Sequence, residues 1–194
     1  MATVHPDQSR QRIEKVKCSA SCLYFLDTYC RIYDAAARDW IPFRLWDAQA
    51  DVLATVHANQ LTVILKARQL GLTWLILGYS LWQMMFRPVA TVLLFSRREH
   101  EANYLLSNER LRGMWKRLPE WLRAPSVTGY DAASTWQMDN GSTCRAFPSN
   151  VGDSYTATLA FVDEADLVAD LGRLLGSVKP TIDLESILKN DAVK

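Results

Sequence analysis

The stretch Lys66-Ala67-Arg68-Gln69-Leu70-Gly71-Leu72-Thr73 sets two cations near its start and a glycine and a hydroxyl at its end. Its spacing is close to G-x-x-x-x-G-K-[ST], the nucleotide phosphate loop. There, backbone N–H groups and a lysine hold the phosphates while the hydroxyl binds magnesium. Gly71 and Thr73 are in register, but Lys66 replaces the first glycine and Leu72 fills the lysine slot. Either the cation has moved to the other end of the loop or the loop no longer binds phosphate. An extended lysine reaches ~6 Å from its Cα, so Lys66 can approach the β- and γ-phosphates from the opposite side. Arg68 adds a second cation with a bidentate fork. The plainer alternatives are a solvated strand end for Lys66 and a surface loop charge for Arg68. Leu72 is expected to turn inward as the first core residue of the following helix.

Two further groups could complete such chemistry. Leu159-Ala160-Phe161-Val162 runs into Asp163-Glu164, two carboxylates 90 residues beyond Thr73. Ligands bind at the carboxyl ends of strands in open α/β sheets. In that position the first acid can hold magnesium and the second can orient and deprotonate an attacking water. Equally, both acids could merely favour the first turn of a following helix. Upstream, Phe43-Arg44-Leu45-Trp46-Asp47-Ala48-Gln49 ends 17 residues before Lys66. The Gln49 amide can donate and accept at once, matching the N7/N6 edge of adenine, and Phe43 or Trp46 could supply an apolar or stacking face. A solvated helix residue is the commoner fate of such a glutamine.

Elements of alternating type must position these groups. Apolar residues recur at three- and four-residue spacings from Ser9 to about Ala37, predicting a helix, with a linker at Trp40–Arg44 and a second helix at Trp46–Ala58. Leu61–Leu65, Thr91–Phe95 and Thr158–Val162 read as continuous apolar strands buried on both faces. A helix is expected at Leu72–Phe86, stopping before Pro88, and another at Arg98–Lys116. Asp139-Asn140-Gly141 between two β-rich runs predicts a hairpin near residues 135–147. The expected fold is α/β, a mainly parallel sheet flanked by helices with that antiparallel hairpin added.

The 194 residues, 49% hydrophobic and 22% charged, suit a globular domain with a sizeable core. A net charge of +1 provides no global field for nucleic acid, so any basic surface must be local. One segment, with Arg97, Arg98, Arg110, Arg112, Lys116, Arg117 and Arg123 beside Trp115 and Trp121, is a candidate for DNA contact, although mixed charge on a solvated face is commoner. No apolar stretch is long enough to span a bilayer. Cys18, Cys22, Cys30 and Cys144 form no CxxC pair, which argues for reduced thiols and against zinc.

Taken together, the adenine-type motif Pro42-Phe43…Gln49, the loop 65–73, Leu93-Leu94-Phe95-Ser96, Asn140-Gly141-Ser142, Gly152-Asp153-Ser154-Tyr155 and Asp163-Glu164-Ala165-Asp166 resemble the ATPase domain of the large terminase subunit of tailed bacteriophages. That family packages DNA into proheads and includes loops whose lysine stands at the beginning, which supports Lys66. The resemblance implies a P-loop NTPase fold of the ASCE/RecA-like type and hydrolysis of ATP with magnesium. It implies nucleotide contacts from Phe43, Gln49, Lys66, Ala67, Arg68, Gln69, Leu70, Gly71, Leu72 and Thr73, metal contacts from Thr73 and Asp163, and catalysis by Glu164, Lys66 and Arg68. Double-stranded DNA, a portal protein, a small terminase subunit and a ring of further copies are the implied partners, in the cytoplasm of a bacterial host. An N-terminal helical extension over 1–40, an ATPase domain over 41–183 and a divergent tail over 184–194 are expected, without the coupling motif or a nuclease domain. Val151 stands where many members carry an arginine, leaving Arg68, Arg97, Arg98 and Arg145 as alternatives for a finger. A nucleotide-binding docking fragment with little turnover is the second reading. A DEAD-type helicase, suggested by residues 163–166, fits less well because that family keeps the usual glycine and lysine of the phosphate loop.

Overall fold

The computed structural model describes residues 6–67, 69–87, 89–127, 132–150 and 156–178. The helices are α1 (Pro6–Ala20), α2 (Cys22–Tyr29), α3 (Asp47–Ala58), α4 (Leu72–Phe86), α5 (Glu99–Leu106), α6 (Leu111–Lys116) and α7 (Leu171–Val178). The strands are β1 (Arg31–Asp34), β2 (Asp39–Pro42), β3 (Thr91–Ser96), β4 (Thr135–Gln137), β5 (Thr143–Pro148) and β6 (Leu159–Val162). They fall into two compact units. One comprises the chain up to Phe86 with Asn108–Ala124; the other comprises Arg87–Ser107 and the chain from Pro125 onward.

In the first unit α4 is the central helix, apolar around most of its circumference and buried accordingly. Phe25 and Leu26 of α2, Leu75, Leu77, Leu81 and Met84 of α4, and Met114 of α6 are fully buried. Gly78 permits this packing: a Cβ there would lie 2.5 Å from Leu26 Cδ2 and 3.2 Å from Met114 Cε. Trp82 Nε1 donates to Cys18 O at 2.7 Å and so ties α4 to α1. The thiols of Cys18, Cys22 and Cys30 are free and buried, and loss of solvent pushes each upward, Cys18 to about 12. Burial and a raised thiol pKa disfavour the reactive thiolate.

The helix expected over Ser9–Ala37 is not continuous. Ser21 leaves the helical region (φ −140°, ψ 111°) and its Oγ accepts the Tyr24 N–H at 3.1 Å, a helix cap that ends α1 and starts α2. Beyond Cys30 the chain forms an antiparallel pair, Arg31 opposite Pro42 and Asp34 opposite Asp39. The Ala35-Ala36-Ala37 run favours helix locally. The Asp34 carboxylate, however, accepts the Ala36 and Ala37 N–H groups at 2.7 and 2.9 Å, and Arg38 adopts φ +53° to close the turn.

The second unit holds a four-stranded sheet in the order β4-β5-β3-β6. β3 runs parallel to both neighbours, Phe95 lying opposite Phe147 and Val162, while β4 is antiparallel to β5. The hairpin expected near 135–147 is therefore present, its turn closed by Gly141 at φ +84°. Val92–Phe95 are fully buried, as a strand covered on both faces must be. Leu93 and Phe95 pack with Ala157, Val168 and Leu174 into a second core. The observed class is α/β, a mixed and mainly parallel sheet flanked by helices. No helix among the described residues is long and apolar enough to cross a membrane.

Two other expectations are corrected. The helix predicted over Arg98–Lys116 is two helices, α5 and α6, one in each unit. Ser107 and Asn108, whose side chains compete for backbone hydrogen bonds, sit at the break. Leu61–Leu65 is not a buried strand: it is irregular, with Leu61, Val63 and Leu65 exposed by 59, 78 and 97%. β-propensity expresses the fit of a side chain to a sheet surface, and no described strand pairs with this run.

Candidate functional site in two parts

The phosphate-loop residues and the glutamine that precedes them meet in the first unit. Asp27 fixes the approach to α3: its Oδ2 and main-chain oxygen accept from Arg44 Nη1, both at 2.8 Å, and its Oδ1 accepts the Leu45 N–H at 3.2 Å. α3 then begins after Trp46. Gln49, in the first turn, returns its Oε1 to the Trp46 N–H at 3.1 Å and sends Nε2 to Leu70 O at 2.9 Å. Backbone N–H and C=O groups are unambiguous, so these two contacts also settle which end of the amide is which.

The loop these contacts hold has an unusual backbone. Gln69 and Gly71 both lie in the left-handed region, at φ +67° and +68°. The positive φ favours glycine at 71, and a Cβ there would lie 2.9 Å from Gln49 Nε2, so the Gln49 side chain would have to shift. α4 starts immediately at Leu72, and Gly71 O accepts the Leu75 N–H at 3.1 Å. The first N–H groups of a helix have no intrahelical acceptor, which favours an anion at this point. Leu72 is buried as expected, Thr73 is half-buried on the first turn, and Lys66, Ala67, Gln69 and Leu70 are exposed.

Of the two aromatics considered for stacking, Phe43 is buried at 1% exposure, its N–H donating to Cys30 O at 2.9 Å. Trp46, 61% exposed, is the one that presents a ring face. A cleft of about 670 Å³ lies between α2 and the start of α3, lined by Tyr24, Asp27, Leu45, Asp47 and Ala50, and none of the described residues of 66–73 lines it.

The paired carboxylates belong to the second unit, at the carboxyl end of the parallel strands. β3 pairs with β5 on one side, and the chain returns after β5 to place β6 on its other side. Such reversals open a crevice at the strand ends. Asp163 N–H donates to Phe95 O at 2.9 Å, extending the ladder one residue beyond β6. Glu164 then turns the chain in a left-handed conformation (φ 50°, ψ 47°) ahead of a short 3-10 turn at Ala165–Leu167. It occupies the N-cap position of that turn, with its side chain exposed and making no capping hydrogen bond. A non-glycine residue in this region costs on the order of 1 kcal/mol.

Glu101 was not foreseen in the sequence, although Arg98-x-x-Glu101 is a helix-start spacing. Its carboxylate accepts from Arg97 Nη2 at 2.9 Å, from the Arg98 N–H at 3.1 Å and from Ser96 Oγ at 3.5 Å. Arg97 holds the Glu101 carboxyl below its usual range; Glu101 first, and Glu164 to a lesser degree, raise Arg97 in return.

No protein-family model matches the chain. The assignment of a site therefore stands on residues and geometry. Gln49, Leu70, Gly71, Leu72 and Thr73 come together in one unit, and Asp163 and Glu164 stand at a strand end in the other. Arg68, Val151 and Gly152–Tyr155 lie outside the described residues, as does the 184–194 tail.

The basic segment is not one helix face. Arg97 and Arg98 belong to the second unit, and Arg112 is buried. The Arg117 and Arg110 guanidinium groups sit 3.7 and 4.4 Å from the ring centroids of Trp40 and Trp74. No group of three or more His, Cys, Asp or Glu among the described residues could cage a metal. Magnesium bound to a phosphate chain needs only one or two protein oxygens, and each unit by itself has a donor of that hard-oxygen kind, the Thr73 hydroxyl in the first and the Asp163 carboxylate in the second.

Proposed function

We propose that this chain binds and hydrolyses ATP with magnesium, as the ATPase part of a phage-type DNA-packaging motor with a P-loop NTPase fold. The observation that carries the reading is the left-handed Gly71 placed directly before the N-terminus of α4, with the Gln49 contact behind it. Backbone N–H groups over residues 69–73 would bind phosphate oxygens, with Lys66 and Arg68 supplying the cations that the usual loop draws from the position of Leu72. Thr73 in the first unit and Asp163 in the second are each an oxygen donor of the kind magnesium takes, and magnesium would screen phosphate charge and polarise the transferred group. Glu164, exposed and making no capping bond, is the group that would take a proton from water. Double-stranded DNA, a portal, a small subunit and further copies of the chain are the partners of this reading.

A second reading, binding with little turnover, draws on the exposed Leu61–Leu65 run, since a phosphate loop is ordinarily anchored by a buried strand. Single-turnover and steady-state ATP hydrolysis separate the two. Under the ATPase reading Glu164→Gln abolishes hydrolysis while leaving Mg-ATP affinity within about threefold. Unchanged turnover in that variant would remove Glu164 from the mechanism. Absence of turnover in the unaltered chain, with binding intact, would favour the second reading.

A further inference from the structure

We propose that Gln49 positions the phosphate loop instead of reading the base, so that the site takes nucleoside triphosphates in general without selecting adenine. The inference rests on the reading that residues 66–73 bind phosphate. To read adenine, a glutamine must offer one open edge, an Oε1 lone pair and an Nε2–H side by side. In Gln49 one Oε1 lone pair and one Nε2–H are already engaged, and burial leaves the remaining pair no open edge. Gln49 is 5% exposed, its Oε1 accepts the Trp46 N–H, and its Nε2 donates to Leu70 O. The Gly71 backbone packs against Nε2 so closely that a methyl group there would collide with it. A base could reach the remaining lone pair and N–H only by displacing the protein atoms packed over them.

What those contacts do is specific to the loop. Leu70 lies between two left-handed residues, Gln69 and Gly71, where the direction of each peptide plane is set by little besides its hydrogen bonds. Gln49 Nε2 pins the Leu70 carbonyl at the entry to the Gly71–Leu72–Thr73 amides, the groups a phosphate would meet. Through Oε1 the same side chain is locked to the start of α3, so the loop is referenced to a helix and not to a neighbouring strand. A base is then left with the exposed face of Trp46, and stacking on an aromatic face is tolerant of base identity.

The test titrates the full chain with Mg-ATP, Mg-GTP and magnesium tripolyphosphate, in wild type, Gln49→Ala and Gln49→Met, the last keeping the side-chain volume. Backbone amide exchange at Leu72–Leu75 is measured without ligand. Wild type is expected to bind ATP and GTP with affinities differing less than about fivefold, below the discrimination a bidentate base contact supplies. Both variants are expected to weaken all three ligands by a common factor of roughly ten, the effect of losing the hydrogen bond that holds the Leu70 carbonyl, and to speed exchange at Leu72–Leu75. A wild-type preference for ATP above tenfold that disappears in Gln49→Met would overturn the proposal. If wild type binds none of the three ligands, the phosphate reading fails. The exchange measurement then decides the role of Gln49: faster exchange in the variants upholds it, and unchanged exchange refutes it.

Discussion

Glu164 offers a perturbation whose effects on stability and on turnover should oppose each other. Its φ of 50° and ψ of 47° are left-handed α values, and its side chain is exposed. For an L-residue this conformation costs roughly 1–2 kcal/mol through crowding of Cβ against the following carbonyl oxygen. Glycine removes the crowding, though its greater freedom in the unfolded chain returns about 0.5–1 kcal/mol of the gain. Glu164→Ala keeps the Cβ and loses only an exposed carboxylate, so it should change stability by less than about 0.5 kcal/mol. Glu164→Gly should therefore be more stable than Glu164→Ala by about 0.5–1 kcal/mol, a rise in melting temperature of roughly 1–4 °C at this chain length. Both should lack ATP turnover under the proposed function. Urea and thermal unfolding of the two variants side by side provide the assay. Glu164→Gly less stable than Glu164→Ala would mean that residue 164 is not held at positive φ, and the reasoning would fail.

Three other expectations follow from the packing. Glu14 accepts from Tyr24 Oη at 2.6 Å, Tyr29 Oη at 2.7 Å and Lys17 Nζ at 2.8 Å, and these bonds lower its carboxyl to about 2. Its folded value lies below its unfolded one, so its contribution is complete above about pH 4.5 and lost as pH falls toward 2; the unfolding midpoints of wild type and Glu14→Gln should differ at pH 6 and converge near pH 2, and a constant gap would contradict the assignment. Gly113→Ala should destabilise by about 1–3 kcal/mol, because its Cβ would lie 2.2 Å from Asn108 O and 2.5 Å from Trp40 Cη2, as urea denaturation can check. Val63→Lys and Leu65→Lys, at exposed positions, should each shift stability by less than about 0.5 kcal/mol; a loss of several kcal/mol would place the run in a buried strand after all.

The sheet was legible where strands are continuous apolar runs between strong turn signals. β3, β6 and the hairpin with Asp139-Asn140-Gly141 at its turn occur where their residues indicate, although β6, with a partner on one side only among the described strands, is half-buried along its length and not enclosed on both faces as expected. α4 was equally plain, since its apolar run begins after Gly71 and ends before Pro88. Leu61–Leu65 misled because composition records a preference for sheet surface but cannot supply a neighbouring strand. The Ser9–Ala37 helix misled for a related reason: the Ser21 cap and the Asp34 turn are each one side chain taking main-chain N–H donors, invisible to periodicity. In the candidate site, the inward turn of Leu72 and the preference for glycine at 71 could be read from the phosphate-loop spacing. The bond from Gln49 to the Leu70 carbonyl could not, because it joins residues 21 apart through a main-chain atom that sequence does not distinguish.

The central claim is that the loop binds phosphate with its cation moved to the front. Calorimetric titration of the chain and of Lys66→Ala with Mg-ATP tests it most directly. The account predicts saturable one-site binding by wild type, weakened at least about tenfold in Lys66→Ala, as expected for loss of a charge-assisted hydrogen bond. Equal affinity in the two proteins, or no binding by wild type, would contradict it.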